Sequence, residues 1–235
     1  MAPAERPAEF DAFARHYDAG MGDPVKRLVG GTADTFLEHK ADWLLRNLPV
    51  TGRLLDFGCG TGGFLRALQR RGAPVELVGC DVAAGMLDEA RRQWGTGPVP
   101  ALYVLPPGPL PFADGEFDVV LATCVLHHVP AAKQLGVARE LLRVARPGGL
   151  VVVFEHNPAN PVTRWIVRRA PIDKNAVLLS APACRRLLLQ AGAAGCRTAY
   201  ILFFPPRLQR LWRLERFLGW LPLGGQYASA AIKGR

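Results

Sequence analysis

Residues 54–65 read LLDFGCGTGGFL, and four of the six positions from Gly58 to Gly63 are glycine. Glycine loses more backbone freedom on folding than any other residue, so a run this dense needs a local cause. Either the chain turns sharply there, or something approaches the backbone closely. The run follows a short apolar segment, RLLDF (53–57), that reads as a buried strand. It opens TGGFLRALQRRG (61–72), whose apolar spacing and closing Gly72 predict a helix. The first N–H groups of a helix have no internal partner, and they favour negative charge. In parallel α/β sheets, ligands gather at the carboxyl ends of the strands, near the point where the strand order reverses. The stretch therefore predicts a binding site before any ligand is named.

The same alternation continues outward. VELVGCD (75–81), ALYVL (101–105), EFDVVLATC (116–124) and GLVVVFE (149–155) read as strands. VAAGMLDEARRQW (82–94) and AAKQLGVARELLRVA (131–145) read as helices, the second ended by Pro147-Gly148-Gly149. Strands alternating with helices predict a parallel sheet covered on both faces, with right-handed connections. Residues 6–48 look helical, with breaks at Gly20, Gly22, Pro24 and Gly30-Gly31, and Pro49 ends them. Beyond Glu155 the order loosens. HNPANP reads as a loop, PVTRWIVRRA and APACRRLLLQAG as helices, TAYILFF and QYASAAIK as strands. Between those two strands an insertion, 205–224, reads as an α-helix. Its Arg207, Arg210, Arg213 and Arg216 recur every third residue, which on an α-helix drifts by about 60° per step into a broad stripe.

The chain has 235 residues, enough for one large α/β domain. Apolar residues at 49% and charged residues at 21% give an ordinary globular balance. No apolar run approaches the roughly 18–20 residues of a membrane helix, and MAPAERPAEF lacks the apolar centre of an export signal. Five scattered cysteines without a CxxC pair argue against a disulfide framework or a zinc site and fit a reducing cytoplasm. The net charge of +9 admits nucleic acid, a membrane surface, an acidic substrate, or simply an Arg-rich surface.

Gly58, Gly60 and Gly63 satisfy the dinucleotide pattern GxGxxG, a weak signal alone. Asp56 precedes the first glycine by two residues, and Asp81 ends the next strand. A carboxylate at that strand end can accept both hydroxyls of a ribose. The residues thus point to an adenosine cofactor, either nicotinamide dinucleotide or S-adenosylmethionine.

LLDFGCGTGGFL resembles the first motif of the class I S-adenosylmethionine-dependent methyltransferases. VGCDVAAGML, LPFADGEFDVVLATCVLHHV and RVARPGGLVVVFEHN resemble their later motifs in order, and FDAFARHYD (10–18) resembles their N-terminal cap. The resemblance implies a Rossmann-like, seven-stranded, mostly parallel sheet with helices on both faces and an N-terminal helical cap. It implies a single domain over 1–235, with the cap at 1–48, a cofactor-binding core at 50–157 and a C-terminal, substrate-side half at 158–235. The implied cofactor is S-adenosylmethionine. Backbone at Gly58, Cys59 and Gly60 would surround its methionine part, and Asp56 would order its amino end. Asp81 would take the ribose hydroxyls, Val82 and Met86 would border the adenine, Cys124 would adjoin the cofactor, and Tyr17 would close over it. Plain core packing is the alternative for Val82 and Met86. One departure stands out: Pro106 occupies the position where the family carries an acidic residue, so that corner has neither carboxylate nor N–H.

Methyl transfer from a sulfonium needs mainly positioning, with a base for a hydroxyl or acidic carbon. His127 and His128, just past the fourth strand, are the candidate bases; capping or packing the next helix is the alternative. Glu155, His156 and Asn157 leave the fifth strand and are expected to face substrate, or to tie down the loop through Asn157. Two adjacent ligands do not make a metal site, and none is expected. Ser180 reads as a helix cap, and Asp173, Lys174 and Asn175 as a solvated turn.

The expected function is methyl transfer to O, C or N of a small molecule, with an apolar acceptor as the candidate that segment 203–221 hints at. A repurposed S-adenosylmethionine-binding protein and an NAD-dependent oxidoreductase are the rivals, and the second lacks a YxxxK pair. Nucleic acid is not the expected partner: no separate RNA-binding domain is visible, and TCVLHH stands where nucleic-acid amino-methylating enzymes carry an NPPY-type tetrad. Segment 205–221 is a candidate for peripheral membrane or lipid contact, or for a homodimer seam.

Overall fold

The computed structural model describes Asp11, residues 33–95 and residues 97–234. Tyr17 and most of the expected N-terminal cap lie outside the described residues. Seven strands run in chain order: β1 Gly52–Phe57, β2 Val75–Asp81, β3 Ala101–Val104, β4 Phe117–Thr123, β5 Ala145–His156, β6 Ala193–Ile201 and β7 Gln226–Lys233. The α-helices described are α1 Ala33–Asn47, α2 Gly63–Arg70, α3 Ala84–Gln93, α4 Ala131–Val144, α5 Pro161–Val167 and α6 Ala181–Gln190.

The strands form one sheet in the order β3-β2-β1-β4-β5-β7-β6. The pairs from β3 to β5 are parallel, and β7 inserts antiparallel between β5 and β6. The mostly parallel, Rossmann-like sheet is therefore present. Its strand order reverses between β1 and β4, which puts the switch point directly after the glycine run.

Side chains alternate across a strand, and this sorts the apolar runs into two cores. Leu54, Val119, Leu121, Val152 and Phe154 face one side, under Leu44 of α1 and Phe64, Leu65 and Leu68 of α2. Leu55, Val120, Ala122, Val151 and Val153 face the other, under Leu141 of α4 and Cys184 and Leu188 of α6. Continuous apolar strands are what a sheet covered on both faces requires.

Two expectations need correction. Helix α4 stops at Val144, and Ala145 already pairs with Phe117; a register irregularity then carries Arg146–Gly149 before Leu150 pairs with Val119. The insertion is not an α-helix. Pro206–Phe217 is a 3₁₀ segment whose backbone leaves helical values at Leu208 (φ −107°, ψ 29°). The side chains suggest why. The Glu215 carboxylate accepts from the N–H groups of Leu202, Phe203 and Phe204, and the Trp212 indole donates to the Phe204 carbonyl at 3.0 Å. Trp212 and Glu215 are three residues apart and must face the same turn, which a three-residue period provides. Past the kink at Leu208, the same period sets Arg210, Arg213 and Arg216 in a row instead of a drifting stripe.

Candidate active site

At the switch point the backbone turns through Gly58 (φ +71°) and Gly60 (φ +52°), values an L side chain rarely adopts. A Cβ at Gly60 would meet nothing within 4 Å, so the backbone there borders open space. Four of the loop's donors are already engaged. Gly58 and Cys59 N–H donate to the Cys80 carbonyl at 2.8 and 3.0 Å, and Gly62 N–H to the Cys59 carbonyl at 2.9 Å. Gly60 N–H donates to Asp81 Oδ2 at 2.8 Å, and Ala83 N–H to Asp81 Oδ1 at 2.9 Å. A loop with these four donors taken has fewer N–H groups left for a pyrophosphate. What it offers instead is carboxylate. Asp56 is 1% exposed, and its Oδ1 has no hydrogen-bond partner. Burial first, then the Asp81 charge, push the Asp56 carboxyl up to about 8, partly offset by the Lys40 ammonium. Burial also raises Asp81, against the pull of N–H donors from Ala83, Gly60 and Val82.

The carboxyl ends of β4 and β5 complete the edge. Cys124 follows β4 with a left-handed backbone (φ 57°). Its Sγ lies 3.7 Å from Lys40 Nζ and 3.6 Å from Gln226 Nε2, and Gln226 stands 3.2 Å from His156 Nδ1. Burial alone would raise the Cys124 thiol, but Lys40 and His156 pull it down to about 7. The 3₁₀ turn Leu126–His128 comes next. Glu155, wholly buried, accepts from Leu126 N–H at 2.8 Å and grips His127 Nδ1 with its other oxygen. Asp173 Oδ1 lies 3.5 Å from His127 Nε2 and 3.4 Å from His128 Nε2. Burial would lower both imidazoles. For His127 the Glu155 and Asp173 carboxylates win, lifting it to about 10; the charge on His127 then reinforces burial and lowers His128 to about 4.

Buried polar atoms without partners are rare in native proteins. Among the described residues there are four: Asp56 Oδ1, Thr123 Oγ1, His127 Nε2 and Gln226 Oε1. Asp56 and Thr123 lie toward the carboxyl ends of β1 and β4, His127 just past β4, and Gln226 opposite His156 at the end of β5. All four border one sheet edge. An ammonium suits the orphaned Asp56 oxygen, ribose hydroxyls suit the remaining lone pairs of Asp81, and an adenosine face suits Val82, which is 43% exposed.

Residues 55–153 match the family model described as "Methyltransferase domain". Over those residues the chain is similar to S-adenosylmethionine-dependent methyltransferases. A demethylmenaquinone methyltransferase from Beutenbergia cavernae is 38% identical over 147 residues, covering 60% of this chain and 58% of its own length. The chain thus spans less than two thirds of the length of this curated relative. The crystal structure of an S-adenosylmethionine-dependent methyltransferase from Thermotoga maritima, described as a possible histamine N-methyltransferase, shares the fold. Its TM-score is 0.69 at 20% identity, over 95% of this chain and 97% of that one. The [4+2]-cyclase SpnF also shares it, with a TM-score of 0.66 at 18% identity over 97% and 95% of the two chains.

Within the stretch matched by that family model, Asp56, Gly58, Cys59, Gly60, Asp81, Val82 and Cys124 gather at the switch-point edge. Met86 is 2% exposed, on the first turn of α3. Pro106 is exposed just past β3 and supplies no carboxylate there. Glu155 does not face a substrate: its oxygens are taken up by Leu126 and His127. Asn157 ties the loop instead, donating to the Pro222 and Gly224 carbonyls at 3.1 and 2.8 Å and accepting from Ala159 N–H. His156 stays half-buried beside Gln226. Sequence reasoning missed two residues. Lys40 is a buried cation on the otherwise apolar face of α1, and that lone charge was its signal. Asp173 read as a solvated turn, yet it reaches both imidazoles. Nothing local in PIDKN announces that contact, because the backbone bond from Val177 N–H to the His127 carbonyl that docks this loop spans 50 residues.

Proposed function

We propose that the protein transfers a methyl group from S-adenosylmethionine to a small apolar molecule. The carrying observation is the edge itself: a glycine corner with four of its N–H groups taken, a buried carboxyl group at Asp56 with an unpartnered oxygen, and a second carboxyl group at Asp81. It suits a ligand with an ammonium and a ribose better than one with a pyrophosphate. When bound, the cofactor supplies an electrophilic methyl carbon with a neutral thioether as leaving group. The chain's part is to hold the acceptor in line and to take a proton where the acceptor is a hydroxyl or acidic carbon. His128 suits that second role by access, since its side chain is 19% exposed while that of His127 is 1% exposed and held by Glu155.

The apolar character of the acceptor is supported by the surface beside the site. Leu208, Leu214, Phe217, Trp220 and Leu223 are exposed along the 3₁₀ segment and the turn after it, alternating with the arginine row. Asn157 ties that turn to the end of β5, and Glu215 ties the segment to His39, next to Lys40. A lipid-phase acceptor in a cytoplasmic setting fits this surface, and the demethylmenaquinone methyltransferase relative is named for an apolar quinone. The second reading, a protein that binds S-adenosylmethionine without transferring methyl, is favoured by the missing acid at Pro106; SpnF, of the same fold, is a cyclase.

The test uses S-adenosylmethionine with a labelled methyl group and a panel of demethylated quinones, phenols and amines. Label recovered in an acceptor, and lost in Asp81→Ala, is the expected result. Cofactor binding with no label moved to any acceptor would support the second reading. Absence of cofactor binding would overturn both.

A further inference from the structure

The His127, His128 and Asp173 side chains do more than flank the sheet edge. Their ligand atoms lie within 4.8 Å of one another. Asp173 Oδ1 stands 3.5 Å from His127 Nε2 and 3.4 Å from His128 Nε2. Two donors at ~2.0–2.1 Å from a tetrahedral metal lie roughly 3.4 Å apart, so this is the edge length such a polyhedron requires. His127 is 2% exposed, and its Nε2, aimed into the cluster, has no hydrogen-bond partner. Its Nδ1 is gripped by Glu155, which also accepts from the N–H groups of Leu126 and His127 and so fixes the ring. A carboxylate behind a ligating imidazole is the usual support of a protein metal site, setting the tautomer and aiming the opposite nitrogen.

We propose that His127 Nε2, His128 Nε2 and Asp173 Oδ1 bind one divalent transition-metal ion of the zinc, cobalt or nickel class, with Glu155 as the positioning residue behind His127. Two imidazoles and one carboxylate match the nitrogen-and-oxygen preference of these ions. Three protein ligands leave a position for water or an acceptor oxygen, the pattern of catalytic rather than structural sites. Asp173 arrives on the loop that docks through Val177 N–H on the His127 carbonyl at 2.9 Å, so a bound ion would also clamp that loop to the end of β4. The inference does not rest on methyl transfer. Where a metal is bound, an acceptor oxygen would meet the ion rather than the His128 ring.

The experiment treats the full chain with chelator, removes the chelator, and titrates cobalt(II), followed by its visible ligand-field bands, and zinc, followed by calorimetry. The expected result is one ion per chain at micromolar affinity or tighter, with no sulfur-to-cobalt charge-transfer band. Asp173→Asn and His128→Ala, each checked for native circular dichroism, should weaken binding more than Glu155→Gln, for which about a 10–100-fold loss is expected. Cys124→Ser should leave binding unchanged. Failure to bind either ion would overturn the proposal. So would binding that survives both Asp173→Asn and His128→Ala, or that disappears in Cys124→Ser, since the ion would then sit elsewhere.

Discussion

Asp56 carries the clearest conflict between stability and binding. Its folded carboxyl titrates at about 8 against an ordinary value of 3.8, mainly because it is buried. Between those values the folded chain holds a proton that the unfolded chain has lost. Stability therefore falls as pH rises from about 4 to 8, and the full cost of ionising Asp56 is present above 8. Asp56→Asn keeps the shape and removes that cost. Above pH 8 the ligand-free variant should melt higher than the parent, by roughly 2–4 °C for each kcal/mol relieved, while binding S-adenosylmethionine more weakly. A variant that melts lower above pH 8 would show that Asp56 is held by a partner the geometry does not reveal. Cys124 gives a second test at this scale. Its thiol ionises near 7, whereas burial raises Cys59, Cys80, Cys184 and Cys196. Iodoacetamide, mapped by mass spectrometry, should modify Cys124 first, with a rate that climbs up to about pH 7 and then levels. Bound S-adenosylhomocysteine should protect it; equal labelling of Cys196 would contradict this order.

At the scale of elements, the 3₁₀ segment is held by one buried carboxylate. Glu215 accepts from three consecutive backbone N–H groups and stands 2.8 Å from His39 Nε2 on α1. Removing this buried carboxylate leaves its donors unsatisfied, at a cost of about 1–3 kcal/mol for each buried group so left. Glu215→Ala should lower the urea midpoint accordingly and release the segment to protease; a loss under about 1 kcal/mol, the worth of a surface pair, would refute the tether. The arginine row predicts a separate behaviour. Arg210→Glu with Arg213→Glu should abolish co-flotation with vesicles containing anionic lipid, which the parent should show at low salt and lose at high salt. Parent protein that never floats would remove the lipid-phase acceptor. These elements also mark where the sequence was readable. The β1–α2 turn, the apolar strands and β7 follow from period and punctuation, because each is decided by residues within a few positions. The 3₁₀ geometry was not readable, since Leu-rich and Arg-rich spacing is compatible with an α-helix. What decides it is the pair Trp212 and Glu215 facing 202–204, a tertiary demand.

For the whole molecule the same division holds in the site. Asp56, Gly58, Gly60 and Asp81 were legible because one turn and one strand end bring them together. Lys40, Asp173 and the inward turn of Glu155 were not, since each depends on a contact made across many residues. The seven-stranded sheet converts these scattered positions into one edge, where residues of α1, β1, β2, β4 and β7 stand within reach of one bound ligand. Such a ligand should stabilise the fold globally. A compound that binds only the folded chain at 100 times its dissociation constant adds about 2.7 kcal/mol, or roughly 5–11 °C for a domain of this size. S-adenosylmethionine and S-adenosylhomocysteine should both produce such a shift. NAD should not, because the Gly58, Cys59, Gly60 and Gly62 N–H groups that a pyrophosphate would need are donated within the chain. A shift with NAD alone would mean that those four bonds open in solution, and the assignment of the corner to a cationic ligand would fall with them.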